Sequence, residues 1–465
     1  MDSSTSRPHE EDVRRCGLLI RNATVWTVDS DHRTFSPGAI AISGNRIMDV
    51  GPDHEVAKRY TSDRILNAAG GIAHPGFIEA HTHISMHLTR ETFPDALDST
   101  SYFSSLISSL NKLTPEDEYA SALLAAAEML RSGVTTFADA GTVMDTESAS
   151  QAIELSGCRG LLADPFIWDI EDHEWTSGLR RFACDEASAL ERLGGQLWRN
   201  EAEGLVRGHI ALWGMATASD RLMLEAKARA EEAGVAVTLH QSMEPRDVAR
   251  DHARLGCSPL VHFKEIGFLG RNVSLAHMNY LTSEDKDALE GSGASIVWVP
   301  GNFLFYSLPR HTRSPIPELI SRQVNLAFGT DVAKAWGYGE QGLLGYLAVR
   351  ADGEFLPAES LLDIATIGGA QSVAMSEEIG SIEPNKLADI VIRDPRLPEL
   401  HPGLHRVRNT MLGVRSKGVL TVIVNGEIVL EDGRLTRFDE DEAFRVSHER
   451  ARALAERIGI EDSSR

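Results

Sequence analysis

The chain has 465 residues, more than the roughly 250–300 over which a single hydrophobic core grows, so a large domain and a smaller one are expected. Its 46 Lys and Arg against 68 Asp and Glu give a formal net charge of −22, which removes the basic footprint that nucleic acids and anionic membranes require. With 42% hydrophobic and 25% charged residues it is neither disordered nor collagenous, and its four cysteines (Cys16, Cys158, Cys184, Cys257), without a Cys-x-x-Cys pair, read as reduced thiols.

Residues 1–16 form a polar tail with no apolar run behind a basic start, and no segment reaches the roughly 18 apolar residues of a membrane span, so a cytoplasmic address is expected. Short β-rich runs follow at 17–28 and 39–50, the second broken at Gly44-Asn45. The same texture returns at 388–392 and 419–435, where Asn425-Gly426 signals a type I′ hairpin. Segments 17–74 and 379–435 are therefore expected to pair into one small sheet domain. Between them apolar strands alternate with amphipathic helical segments, as in 116–132 before 134–138 and 222–233 before 235–240, which builds βαβ units. About 300 residues of this alternation, 75–378, suit an α/β fold of the (β/α)8 TIM-barrel kind better than a doubly wound sheet, whose glycine-rich phosphate fingerprint is missing. The end, 436–465, reads as a charged, solvated helix over 441–458.

The chemistry begins where Phe77-Ile78-Glu79-Ala80 runs into His81-Thr82-His83. In an extended chain residues i and i+2 share a face, so both imidazoles reach one metal at the C-terminal mouth of the first barrel strand. Three further candidates end predicted strands: His240 after VAVTL, His277 after NVSLA and Asp331 after VNLAFGT. Singly, each reads equally well as a satisfied polar residue or a turn cap. Five at the strand ends of one barrel point to convergence.

Pro75-Gly76-Phe77-Ile78-Glu79-Ala80-His81-Thr82-His83 resembles the strand 1 motif of the amidohydrolase superfamily, more narrowly its cytosine deaminase and chlorohydrolase-like branch. Gly133-Val134-Thr135-Thr136 resembles its strand 2, Gly329-Thr330-Asp331 its strand 8, and the run from Gly380 to Asp389 its return into a β-sandwich domain. The resemblance spans almost the whole chain and implies a (β/α)8 barrel with a small β-sandwich domain. It makes His81, His83, His240 and Asp331 ligands of one divalent metal, Zn2+ ahead of Fe2+ or Mn2+, which acidifies a water. His277 and Asp331 are the implied catalytic groups, His277 orienting the atom under attack and Asp331 moving the proton. Binuclear relatives bridge two metals with a carboxylated lysine on strand 4; here 207–215 has none, so one metal is expected and His209 reads as structural.

Family deaminases usually carry a glutamate three residues after the strand 5 histidine, which protonates a ring nitrogen of the substrate. Here that position is Met243, and the neighbouring Glu244 is either its catalytic replacement or a solvated loop carboxylate. The resemblance implies hydrolytic deamination of a small heterocycle. Hydrolysis of a cyclic amide or other non-peptide C–N bond, dechlorination of a triazine-like ring, and an inactive structural relative stand as alternatives. Candidate substrate contacts are His87 and Arg90 after the first ligands, Asn302, Phe303, Phe305, Tyr306 and His311 after predicted strand 7, and Trp336 after Asp331. A small-molecule substrate and a homo-oligomer are expected, with no nucleic-acid or membrane partner.

Overall fold

The computed structural model describes residues 13–90, 105–107, 109–172, 176, 178–179, 181–201, 204–332 and 336–459. Eight parallel strands follow one another: Phe77–Thr82, Val134–Asp139, Arg159–Leu162, a fourth in two pieces (Val206–Gly208 and Ile210–Gly214), Val237–Gln241, Val273–His277, Ser295–Trp298 and Asn325–Phe328. They hydrogen-bond as one four-stranded and one five-stranded sheet. The seam lies at His209, whose N–H reaches back to the Leu162 carbonyl (3.0 Å) while that of Ile210 reaches forward to Ala236 (3.1 Å). On the opposite side a parallel bridge between Thr82 and Asp331 closes the ring. Most of these strands are buried on both faces, as strands walled by helices outside and side chains inside must be. The (β/α)8 barrel expected from the alternation of elements is therefore present.

Local sequence explains how the barrel begins. The helix Pro115–Ser132 starts with a reciprocal cap between Thr114 and Asp117 and a proline in its first turn, and ends at Gly133 in the left-handed region (φ 85°), from which the chain enters the second strand. Gly76, ahead of the first strand, admits no side chain: a Cβ there would lie 2.0 Å from Thr135 Oγ1.

Both ends of the chain contribute to a nine-stranded sheet. Its centre is the antiparallel pairing of Ile72–Pro75 with Ile390–Arg393, flanked on one side by Leu18–Trp26, Thr34–Ser43 and Arg46–Pro52 and on the other by Val419–Val424 and Glu427–Glu431. Asn425 and Gly426 both have positive φ (52° and 80°), the type I′ turn expected. Residues 1–12 of the polar tail lie outside the described residues, but Arg14–Arg15 pair with Tyr60–Thr61 and Cys16 is buried, so ordered structure begins before residue 17. All four cysteines are free.

The last helix, Glu440–Ile458, departs from the expectation of a solvated element. It buries Ala443, Ser447 and Leu454 and lays Arg450 and Arg457 on the fully buried carboxylate of Asp117, with Arg450 Nε 2.8 Å from Oδ1. Long arginine stems cover apolar surface while their heads pair, which charge patterning alone does not reveal. Among the described residues no helix is long and apolar enough to cross a membrane.

Candidate metal centre

His81 and His83 leave the first strand on one face, and Thr82 between them turns away to Tyr338, 3.1 Å between hydroxyls. His240 and His277 lie at the ends of the adjacent fifth and sixth strands, and Asp331 follows the eighth, its N–H donating to the His81 carbonyl (2.9 Å). All five are buried, none more than 4% exposed. His277 (φ 75°) and Asp331 (φ 59°) hold left-handed backbone conformations that cost a side-chain-bearing residue about 1–3 kcal/mol each.

The donor atoms converge. His83 Nε2 is 2.8 Å from Asp331 Oδ1 and 3.3 Å from His240 Nε2, and His81 Nε2 is 3.7 Å from the same carboxylate oxygen. Four ligand atoms, one each from His81, His83, His240 and Asp331, lie within 4.8 Å of one another. The His277 ring stands beside them, 5.5 and 5.6 Å between centroids from His81 and His240.

Proton placement shows that this group suits a cation. His240 Nδ1 faces the Trp213 carbonyl at 2.8 Å; a carbonyl only accepts, so Nδ1 carries the proton and Nε2 offers a lone pair to the centre. Both ring nitrogens of His81 are buried without a hydrogen-bond partner, a loss of about 1–3 kcal/mol for each group unless something accepts their lone pair or proton. Two nitrogens each about 2.0–2.1 Å from one tetrahedral ion stand about 3.3 Å apart, the separation of His83 Nε2 from His240 Nε2 (3.3 Å). Burial lowers the pKa of His81, and that of His240 far more, where neighbouring imidazoles add to the desolvation, so both rings stay neutral and able to bind metal. Three imidazoles and a carboxylate form a zinc-type donor set.

Three supporting groups, Thr142, Asp139 and Glu79, are not among the site candidates read from the sequence. Thr142 Oγ1 meets His83 Nδ1 at 3.1 Å, and Asp139 at the end of the second strand holds that loop by accepting the N–H groups of Ile84, Gly141 and Thr142. Glu79 lies buried beneath the ligands and accepts from the Thr330 N–H (2.7 Å); desolvation raises its pKa well above the usual carboxylate range. Asn302, one of the expected substrate contacts, instead donates its amide to Asp331 Oδ2. His209 is structural: Nε2 meets the Asp139 carbonyl at 2.8 Å, and burial lowers its pKa to about 4.

A cavity opens beside the ligands. Its wall is made of His83, His240, His277 and Asp331 together with Met86, Leu106, Trp213, Met215, Met243 and Val332. Met243 is almost fully buried there. Glu244 is outside this lining; it caps the helix Pro245–Leu255 and its Oε2 lies 2.9 Å from Arg246 Nε. The other candidate contacts also fall elsewhere. The 3-10 turn Ile84–Thr89 folds back under Ser121, which takes His87 to Tyr338 (3.4 Å) and Arg90 to Glu128. Phe303 is a core residue, Phe305 packs edge-on against Trp336 (5.9 Å) with Tyr306 beside it, and His311 is exposed.

The model of the Amidohydrolase family matches residues 72–429. The chain belongs to the amidohydrolase family. This amidohydrolase is 30% identical to the 5-methylthioadenosine/S-adenosylhomocysteine deaminase of Syntrophobacter fumaroxidans over 453 residues, 96% of the chain and 99% of that relative. It is 27% identical to the 5'-deoxyadenosine deaminase of Methanosarcina mazei, with 95% and 99% covered. Among solved structures, a zinc-bound adenosine deaminase from Xanthomonas campestris superposes with a TM-score of 0.85 at 24% identity, covering 96% of this chain and 99% of that one. The atrazine chlorohydrolase of Arthrobacter aurescens with zinc and atraton does so with 0.81 at 22%, covering 93% and 100%. Both solved structures share the fold. The amidohydrolase is thus a metal-dependent hydrolase of non-peptide C–N bonds, of the deaminase type that the sequence resembles.

Proposed function

We propose that this amidohydrolase hydrolytically deaminates a small amino-substituted nitrogen heterocycle at one divalent ion, zinc ahead of iron or manganese, held by His81, His83, His240 and Asp331. The observation that carries the reading is the four-donor cluster at the barrel mouth, with His81 unsatisfied and His277 alongside. Relatives named for deamination of adenosine derivatives support the choice of an aminated ring.

When bound, the ion supplies an acidified water near neutral pH. Asp331, its carboxylate turned by the Asn302 amide, takes the proton of the attacking water and passes it to the departing amine. His277 holds the ring atom next to the reacting carbon, and the apolar wall around Trp213 and Met215 keeps bulk water out. Hydrolysis of a cyclic amide is a second reading, favoured by Met243, since an amide carbonyl reacts without an acid at that wall position. The reading also takes the sheet of 17–74 and 379–435 as a separate β-sandwich domain bracing the barrel, and the protein as a cytoplasmic homo-oligomer.

The test is a panel of aminated purines, pyrimidines, pterins and triazines assayed for ammonia, with bound metal measured in the same protein. About one equivalent of metal and ammonia from at least one ring are expected. Turnover that persists at under about a tenth of an equivalent removes the metal. Ammonia from no ring in fully loaded protein removes the deaminase.

A further inference from the structure

The cavity wall three residues beyond His240 is filled by a thioether, Met243. After His240 the chain turns Gln241 outward to Asp251 (2.6 Å) and then bends at Ser242, a non-glycine residue at φ 51°. The Ser242 carbonyl accepts the N–H groups of Asn279 (3.0 Å) and Tyr280 (3.2 Å), and the Asn279 side chain donates to the Met243 carbonyl (3.1 Å). Met243 is thereby clamped against the cavity with Met86 and Met215. Glu244 is committed elsewhere: Pro245 opens the next helix, Asp247 Oδ2 accepts the Glu244 N–H (2.9 Å), and Arg246 pairs with its carboxylate. A one-residue slip that turned Glu244 inward would break the Asn279 clamp and the helix start together. Among the described residues of the lining, the only groups that titrate are His83, His240, Asp331 and His277; the indole N–H of Trp213 can donate a hydrogen bond but does not give up its proton.

The chemistry then constrains the ring. Water adds to the amino-bearing carbon, and the C=N electron pair moves onto the ring nitrogen. Asp331 carries one proton of the water to the amino group, the pair on the ring nitrogen re-forms the C=N bond as the C–N bond to the amine breaks, ammonia leaves, and the remaining hydroxyl proton shifts to the ring nitrogen to give the oxo tautomer: amino-ring plus water gives oxo-ring plus ammonia. Until the amine departs, the ring nitrogen holds extra negative charge. A carboxylic acid at the wall would neutralise it; a methionine does not. The charge has to be spread by the substrate.

We infer, on the strength of the proposed deamination, that the substrates are rings already electron-poor at the amino-bearing carbon, oxo-substituted or polyaza rings such as amino-s-triazines and pterins, and that aminopurine nucleosides are turned over slowly. This departs from the relatives named for adenosine derivatives and makes Met243 a specificity determinant.

The test compares kcat and KM for ammonia release from an amino-s-triazine, a pterin, adenosine and 5'-deoxyadenosine in enzyme carrying one equivalent of metal. At least one electron-poor ring is expected to exceed adenosine by 100-fold or more, with the difference in kcat. Met243→Glu is expected to raise kcat on adenosine at least tenfold and add an acid limb to its pH profile, and Met243→Gln, which has no acidic proton, to do neither. Adenosine within threefold of the best electron-poor ring, a difference confined to KM, an equal gain in both variants, or a 100-fold loss on the electron-poor ring in Glu244→Gln would each overturn the inference while leaving the deaminase standing. The wild-type comparison decides the matter even if Met243→Glu does not fold. No ammonia from any ring overturns the deaminase reading itself.

Discussion

Gly214 ends the fourth strand at φ 81°, and a Cβ built on it would stand 2.1 Å from the carbonyl oxygen of His240. Close-packed interiors do not tolerate such an approach, so Gly214→Ala must push the end of the fifth strand back by about 1 Å. The left-handed backbone costs alanine about 1–2 kcal/mol and the overpacking about 1–3 kcal/mol, together about 2–5 kcal/mol of stability. That carbonyl also accepts the N–H of Met215 (3.1 Å), so one movement carries both a metal ligand and a wall residue. A displacement of about 1 Å at a reacting centre lowers rate on the order of 100-fold. Urea unfolding gives the first quantity, and competition with a chromophoric chelator together with kcat/KM gives the second. The reasoning is refuted if Gly214→Ala stays within about 0.5 kcal/mol of the parent in stability and binds zinc within about threefold.

Asn302→Ala removes the amide that turns the Asp331 carboxylate, a hydrogen bond to a charged group worth about 1.5–3 kcal/mol. Metal affinity in the same competition assay is expected to fall about 10–100-fold, and an unchanged affinity would count against that role. Arg450→Ala combined with Arg457→Ala leaves the buried Asp117 carboxylate without its cations and is expected to cost about 3–5 kcal/mol in urea unfolding. An unaltered midpoint would show that the C-terminal helix is not anchored there. Burial, opposed by the N–H groups of Met144 and Asp145, raises the Glu118 carboxyl from 4.5 to about 7. Because the folded value is the higher one, its contribution is complete below pH 4.5 and is lost as pH rises through 7, about 3 kcal/mol in all. Glu118→Gln is expected to flatten stability against pH across that window, and a slope equal to the parent's would refute the assignment.

What the sequence disclosed follows from periodicity. His-x-His at a strand end places two imidazoles on one face whatever the surroundings, and Gly133 and Asn425-Gly426 each mark a backbone that few other residues adopt. What it concealed depends on backbone atoms and on turns. The atom that fixes the His240 tautomer is the carbonyl of Trp213, which every residue type possesses. His87 and Arg90 are near the ligands in sequence, yet the 3-10 turn takes them to Tyr338 and Glu128 and out of the cavity lining. Glu244 was a candidate proton donor because it is one residue beyond the position expected for the glutamate; the bend at Ser242, at positive φ, leaves Met243 in the cavity wall and Glu244 outside it. Asn302 was expected at the substrate because it follows the seventh strand, and it reaches the site through Asp331.

The pairing of Ile72–Pro75 with Ile390–Arg393 also orders events during synthesis. At about 5–20 residues per second the ribosome delivers the second strand some 15–60 seconds after the first. Through that interval the N-terminal half-sheet presents an unmatched row of N–H and C=O groups, and the strand that bears His81 and leads into His83 begins only one residue beyond it. A nascent chain stalled in the barrel therefore holds two of its metal ligands next to an open, adhesive edge, and its partition between folding and aggregation is set by how quickly Ile390–Arg393 arrive.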